Sequence, residues 1–464
     1  MAELYTRRGT GSLKKQAAVG TPVIPNTYFK FNSEDISVDF PYVSLEHVAG
    51  NRANMMEVAD GKIPAPAGSI DLNVEPKTFG HFLNGLCGLT SGTYVVVSNI
   101  VGTFNTTGLV TFVGSGATAT PTYIGDNYIL FGTITGTPVN TDTLSQAGSG
   151  ATADVDTYES GTIGHASKLP ANLSTYYSLQ FNYVDSAIRY FDVIISGMEL
   201  LQTNNVLNAK LSIKALGVFR HAKVTAVTSS GAGSKTITVD QTLGLLATDT
   251  IKLYRPGTGF QDFSAASTLT HTVDSITDSL NFVVTNLQTA TAVGDLIELA
   301  PQTATYSTVT PFTWDGGSEV QAGDAYASLA SEKIEDYDFT IENDWEERFA
   351  AEGPDFEDRF PSAFLQKGVI GSGTVKRYYE DEDFMRKLRQ NAVSAVKLTS
   401  QAAIISAVLR YRLEVFFPQV QLEQYDTNLT VDDIMPEELA FTAFYNSTRA
   451  TIFEILLVNN VASY

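Results

Sequence analysis

Gly68-Ser-Ile-Asp-Leu-Asn-Val-Glu-Pro-Lys-Thr-Phe-Gly-His-Phe-Leu83 is one of two copies of a single pattern. The other copy, offset by 305 residues and aligned without a gap, is Gly373-Thr-Val-Lys-Arg-Tyr-Tyr-Glu-Asp-Glu-Asp-Phe-Met-Arg-Lys-Leu388. Each opens on a glycine and then alternates over about six residues, the period of a half-buried strand. Each next turns, at a proline-containing or acidic step, into a short helix. Phe79 and Leu83 share one face of the first helix, and Phe384 and Leu388 share the same face of the second. The repeated unit is strand, turn, helix. The shared pattern, more than the few identities, predicts two sister halves.

The flanks extend the repeat. Ser33-Glu-Asp-Ile36 resembles Ser331-Glu-Lys-Ile334, and the strand opening Ile188-Arg-Tyr returns as Leu409-Arg-Tyr. Gly68 and Ile188 are 120 residues apart, Gly373 and Leu409 only 36. The excess of 84 is close to the length of residues 89–158, a Gly-, Thr- and Val-rich stretch with almost no Lys or Arg. That stretch has its own echo, Gly114-Ser-Gly-Ala-Thr-Ala-Thr120 and Gly148-Ser-Gly-Ala-Thr-Ala-Asp154. Residues 221–303 carry another, Asp249-Thr-Ile-Lys-Leu253 and Asp295-Leu-Ile-Glu-Leu299, 46 apart. Strand pairs at such spacing predict small barrels or sandwiches.

The expected organisation is an N-terminal arm (1–27), a first domain in two pieces (28–88 and 159–220), inserted β modules at 89–158 and 221–303, and a second domain (304–464). The polar loop 42–64 and the basic arm are candidates for bridging to neighbouring subunits. Pro418 is expected to end the strand Leu409–Phe417 or mark a sheet edge.

A chain of 464 residues is long for one core. Charged residues make up 17%, against an average of about 25%. That low share predicts a β-rich protein with much of its surface covered by neighbours. The formal charge of −21 argues against nucleic-acid affinity, which needs Lys and Arg to replace counterions. Cys87, the single cysteine, lies in an apolar run and reads as a buried, inert thiol.

The five histidines (His47, His81, His165, His221, His271) have no paired spacing, so no metal or catalytic cluster is expected. No nucleophile elbow, phosphate loop or His-Glu-x-x-His is present. The carboxylate pairs Glu346/Glu347 and Asp355/Glu357 read as solvent-facing, and Trp314 and Trp345 as packing residues. Asp381 to Asp383 suit a helix N-terminus. The N-terminus is polar and basic, unlike a secretory signal, and no run of about 18 apolar residues exists to cross a membrane. No catalytic residue, cofactor or metal is expected.

At Asp336-Tyr-Asp-Phe-Thr-Ile-Glu-Asn-Asp-Trp-Glu-Glu-Arg348 and Pro361-Ser-Ala-Phe-Leu-Gln-Lys-Gly-Val-Ile-Gly-Ser-Gly-Thr-Val-Lys-Arg-Tyr-Tyr-Glu-Asp-Glu-Asp-Phe384 the chain resembles the tube domain of siphophage tail tube (major tail) proteins. The first half resembles it more weakly, through Pro66-Ala-Gly-Ser-Ile-Asp-Leu and Ile195-Ser-Gly-Met-Glu-Leu. The resemblance implies a mainly β fold: two tandem β-sandwich or half-barrel domains, each flanked by a short helix, plus the two all-β modules. It implies a structural subunit of a virion tail, made in the host cytoplasm, whose rings stack into a tube that conducts the genome during ejection. Most relatives carry one such domain and form hexameric rings, so two fused domains imply a trimeric, pseudo-hexameric ring. The implied partners are further copies of the chain, the tape measure, tail terminator and tip proteins, and double-stranded DNA passing without specific binding.

Two other classes compete. One is a host-surface or glycan-binding tail fibre or adhesin. The other is a polysaccharide-degrading enzyme. Both usually carry short solenoid repeats, whereas this repeat is one long duplication.

Overall fold

The computed structural model describes residues 9–38, 42–47, 55–60, 62–168, 175–203, 205–262, 269–349, 360–378, 383–390, 392–406, 408–427 and 436–464. The pair Asp355 and Glu357, residues 380–382 of the acidic run and the side chains of His47 and Phe384 lie outside the described residues. The chain is mainly β, with two α-helices among the described residues.

The first half supplies β1 (Thr10–Lys15), β2 (Thr27–Phe29), β3 (Ser33–Glu34), β4 (Tyr42–His47), β5 (Met55–Asp60), β6 (Ala67–Asn73), α1 (Phe79–Cys87), β7 (Tyr177–Asn182), β8 (Ala187–Thr203) and β9 (Val206–Phe219). The second supplies β10 (Glu319–Gly323), β11 (Ala330–Ser331), β12 (Ile334–Arg348), β13 (Ala363–Tyr378), α2 (Asp383–Arg389), β14 (Val393–Ile404), β15 (Arg410–Thr427), β16 (Pro436–Ala443) and β17 (Glu454–Asn459).

The same strand order occurs twice. In the first half the neighbours run β2, β1, β7, β8, β9, β6, β3. In the second they run β11, β10, β14, β15, β16, β13, β12. Every pair is antiparallel.

Register agrees along β6, β9 and β8, while the β3–β6 pairing is offset by two residues from that of β12–β13. Ile70 faces Leu211, which faces Met198; 305 residues on, Val375 faces Leu439, which faces Tyr425. The distal end of the long hairpin agrees too. Tyr42 faces Asp60, and a shift of 305 falls within one residue of the observed pair Glu347 and Phe364. α1 packs on β8 as α2 packs on β15.

A matched defect fixes the equivalence further. Tyr177 and Leu179 face Val193 and Tyr190, so β8 gains one residue there. Ser394 and Val396 face Val420 and Phe417, and β15 gains one residue at the equivalent place. Bulges of this kind bend a strand so that it serves two sheets. The first half makes the bend at Asp192, in left-handed backbone (φ 52). The second makes it at Pro418. β15 therefore does not stop at the proline; it runs on to Thr427. Its partner changes there from β17 (Phe416 facing Glu454) to β16 (Val420 facing Ala443), so Pro418 is left between two ladders, where its missing N–H costs nothing.

The glycine that opens each copy has a steric cause. A Cβ on Gly68 would lie 2.6 Å from the Ile36 backbone, and one on Gly373 would lie 2.5 Å from the Asp338 carbonyl. Each sits where the partner strand of the hairpin crosses closely.

Three sequence correspondences shift. The Arg-Tyr openings of β8 and β15 lie on equivalent strands but out of step. The bulge equates Tyr190 with Phe417, not with Tyr411. Ser331 belongs to β11 and has its counterpart in β2, not at Ser33. Residues 10–15, expected in an extended N-terminal arm, form β1 along β7, with Leu13 and Ser12 buried. Alternation in Gly11-Ser-Leu-Lys-Lys is short and masked by the two lysines.

One continuous core runs through both halves, from Leu13 to Leu457. Each module has a core of its own. In the first, Val95, Phe112, Ile129, Phe131 and Leu144 pack together; in the second, Val224, Ile237, Ile251, Phe282 and Ile297 do. The module echoes are hairpin features used twice. Phe112 N–H donates to Ala117 O, and Gln146 N–H to Ala151 O. Ile251 faces Leu299 while Leu253 faces Ile297, so that pairing is symmetric about its own centre.

Candidate functional site

β8 is longer than its neighbour β7. Past the bulge, its edge at 197–201 needs hydrogen-bonding partners. β12 of the second half supplies them: Gly197 faces Glu342, Met198 faces Ile341 and Leu201 faces Asp338. The two halves thus join strand to strand, and the second half's hairpin prolongs the first half's sheet.

The distal end of that hairpin lies over the first half. Trp345 and Phe364 bury against Ala65, Tyr176, Ile194 and Leu216. Their rings meet edge to face at 6.5 Å. Around them Ala65 N–H donates to Glu347 Oε2 (3.3 Å), and Lys214 Nζ lies 3.9 Å from Glu347 Oε1. Asn343 Nδ2 donates to Leu86 O at 2.7 Å, satisfying a carbonyl that the end of α1 leaves open. Trp345 is a packing residue, as its sequence context predicts. Glu346, beside it, faces solvent and pairs with Lys367 at 2.9 Å.

The repeat residues Phe79 and Leu83 are fully buried, and Phe82 next to them meets Phe29 edge to face at 5.1 Å. Leu388 is half-buried against the same core. Cys87 Sγ donates to Leu83 O at 3.1 Å, and burial pushes its thiol up to about 12, so it is no nucleophile. His81 and His165 flank the Tyr464 ring, at 4.8 and 4.6 Å between centroids. Burial, then His165 and Lys15, pull the His81 pKa down to about 4.

Ion pairs fasten the modules. Arg189 on β8 makes a bidentate pair with Asp249 of the second module, both bonds 2.7 Å, and is held by Gln180 and the Gly244 carbonyl. Arg449, after β16, reaches Asp126 of the first module at 2.6 Å and Glu454 of β17 at 3.1 Å. Composition and spacing gave no sign of these pairings, which join residues distant in sequence.

No cluster of three or more His, Cys, Asp or Glu capable of holding a metal occurs among the described residues. No helix among them is long and apolar enough to cross a membrane. No protein-family model and no curated protein matches this chain.

Proposed function

We propose that this chain is a self-assembling structural subunit of a phage-type tail tube, closing into trimeric, pseudo-hexameric rings that stack around a lumen for the genome. One observation carries the reading: two halves of like strand order and register, joined edge to edge by β8 and β12. A chain built this way supplies two successive arcs of a wall. Continued by further copies, the same step removes sheet edges that would otherwise invite uncontrolled pairing. The acidic balance of −21 favours passage of a polyanion without capture.

Negative-stain microscopy of the purified chain, with mass measurement of dissociated rings, tests the proposal. Rings or tubes of three chains are expected. Six chains per ring would remove the pseudo-hexamer, and a monomer that binds glycan would favour the adhesin reading instead.

A further inference from the structure

The equivalence of the halves predicts where the next copy sits. In the first half, Ala65, Tyr176 and Leu216 are buried under Trp345 and Phe364. By the strand registers above, their counterparts in the second half are Ile370, Val393 and Phe444. These three are large, apolar and 54%, 50% and 43% exposed. Single exposed apolar residues are ordinary, but three at the positions that the sister half buries are not.

The strand edge tells the same story. β15 outruns β14, whose pairing ends with Val393 facing Gln421. Residues 424–427 match 197–200 of β8, yet among the described residues no strand pairs with that edge. The matching donor is also unused. Asp35 and Ser37 donate inward to Ser69 and Ala67, so the backbone of Glu34 and Ile36 faces outward. There, among the described residues, Ile36 N–H meets only the Glu34 carboxylate (3.2 Å), and its carbonyl only the Tyr190 hydroxyl (3.3 Å). Ile36, opposite Gly68, is the counterpart of Phe339, which lies opposite Gly373 and faces Leu200 inside the chain.

We propose that the first-half hairpin (β3 to β6) of a second copy of this chain docks on the second half, pairing its residues 36–38 with 425–427 and covering Ile370, Val393 and Phe444 with β4 and β5. The contact repeats between chains the junction seen within one, and it rests on the ring reading above.

The test uses the full chain. Val393→Asp and Phe444→Asp alter exposed side chains, so circular dichroism and the melting of the monomer should stay as in wild type. The concentration needed for assembly should rise roughly tenfold or more. Val227→Asp, at an exposed apolar residue of the second module, should assemble normally. Ser37→Cys with Asp426→Cys should give, on oxidation, a covalent ladder of chains in a non-reducing gel, since buried Cys87 does not compete.

Patch variants that assemble like wild type overturn the proposal. So do patch variants that form closed but unstacked rings, which would move the patch to a stacking surface. Tubes of the double-cysteine chain without the 37–426 disulfide overturn it and leave the ring reading standing. A wild-type chain that never assembles removes both.

Discussion

The two halves share strand order, register and a bulge, yet they differ in what covers them. The first half is enclosed: a hairpin lies over one face, the second module is clamped to it, and Tyr464 fits against Gly80 of α1 so closely that a Cβ there would lie 2.1 Å from the ring. The second half is more open. Arg386 of α2, at the position of His81, is exposed, and the face equivalent to the enclosed one carries Ile370, Val393 and Phe444. A duplicated fold need not duplicate its contacts. Within one chain only one of two equivalent junctions can close.

The cores differ in their charges. Arg189, buried against Asp249, has Phe416 as its counterpart; Arg377, buried against Glu437, has Leu72, and Glu437 has Ala209. Each half places an ion pair where its sister is apolar or aromatic. Removing one member strands a buried charge, so Arg189→Ala should lose about 3–5 kcal/mol in urea unfolding. Arg377→Leu should do the same, whereas Arg377→Leu with Glu437→Ala, which copies the first half, should restore stability to within about 1–2 kcal/mol of wild type. A double variant no better than the single would show that the charges specify the second half's packing.

The helices should separate next. Phe79 is fully buried, so Phe79→Ala should cost about 3–5 kcal/mol. Leu388 is half-buried, and Leu388→Ala should cost about 1 kcal/mol. Equal losses in chemical denaturation would mean that α2 is as enclosed as α1.

What the sequence made legible follows from the range of the forces involved. The strand–turn–helix units were readable because a glycine, an alternation and an i,i+4 pair are local signals. The shift of 305 residues carries strand and helix onto observed elements: β6 ends at Asn73 and β13 at Tyr378. Register was less readable. Ile188-Arg-Tyr and Leu409-Arg-Tyr look equivalent, but the bulge decides the alignment, and a one-residue bulge leaves no local signature at Asp192 or Pro418. β1 was missed because its partner, β7, lies more than 160 residues away. The edge of β8 was unreadable for a different reason. A strand shows its alternation, not the length of its neighbour, and the overhang past β7 creates the junction.

Gly68 and Gly373 sharpen the comparison at a smaller scale. Both face backbone within 2.7 Å of a built Cβ, and neither carries positive φ, so the constraint is space and not conformation. Gly68→Ala and Gly373→Ala should each cost about 1–3 kcal/mol through overpacking. Thermal melts of the two variants should fall together. A harmless Gly68→Ala beside a damaging Gly373→Ala would show that the β3–β6 crossing yields where the β12–β13 crossing does not.

The smallest difference expected is in pH dependence, and it belongs to the first half, where His81 stands at the position that Arg386 takes in the second. In the folded chain His81 is held neutral, its pKa pulled down to about 4 mainly by burial. In the unfolded chain it titrates near its ordinary value of 6.5. Between those values the unfolded state takes up a proton that the folded state refuses, so stability falls as pH falls. The full contribution is present above about pH 6.5 and is lost by about pH 4, on the order of 1–2 kcal/mol once partial solvent access is allowed for. His81→Gln keeps a polar side chain there but has nothing to titrate, so urea midpoints measured from pH 7 to pH 4 should fall less steeply than in wild type. Parallel slopes in the two proteins would place the acid sensitivity elsewhere, His165 being the next group, since burial lowers its pKa as well.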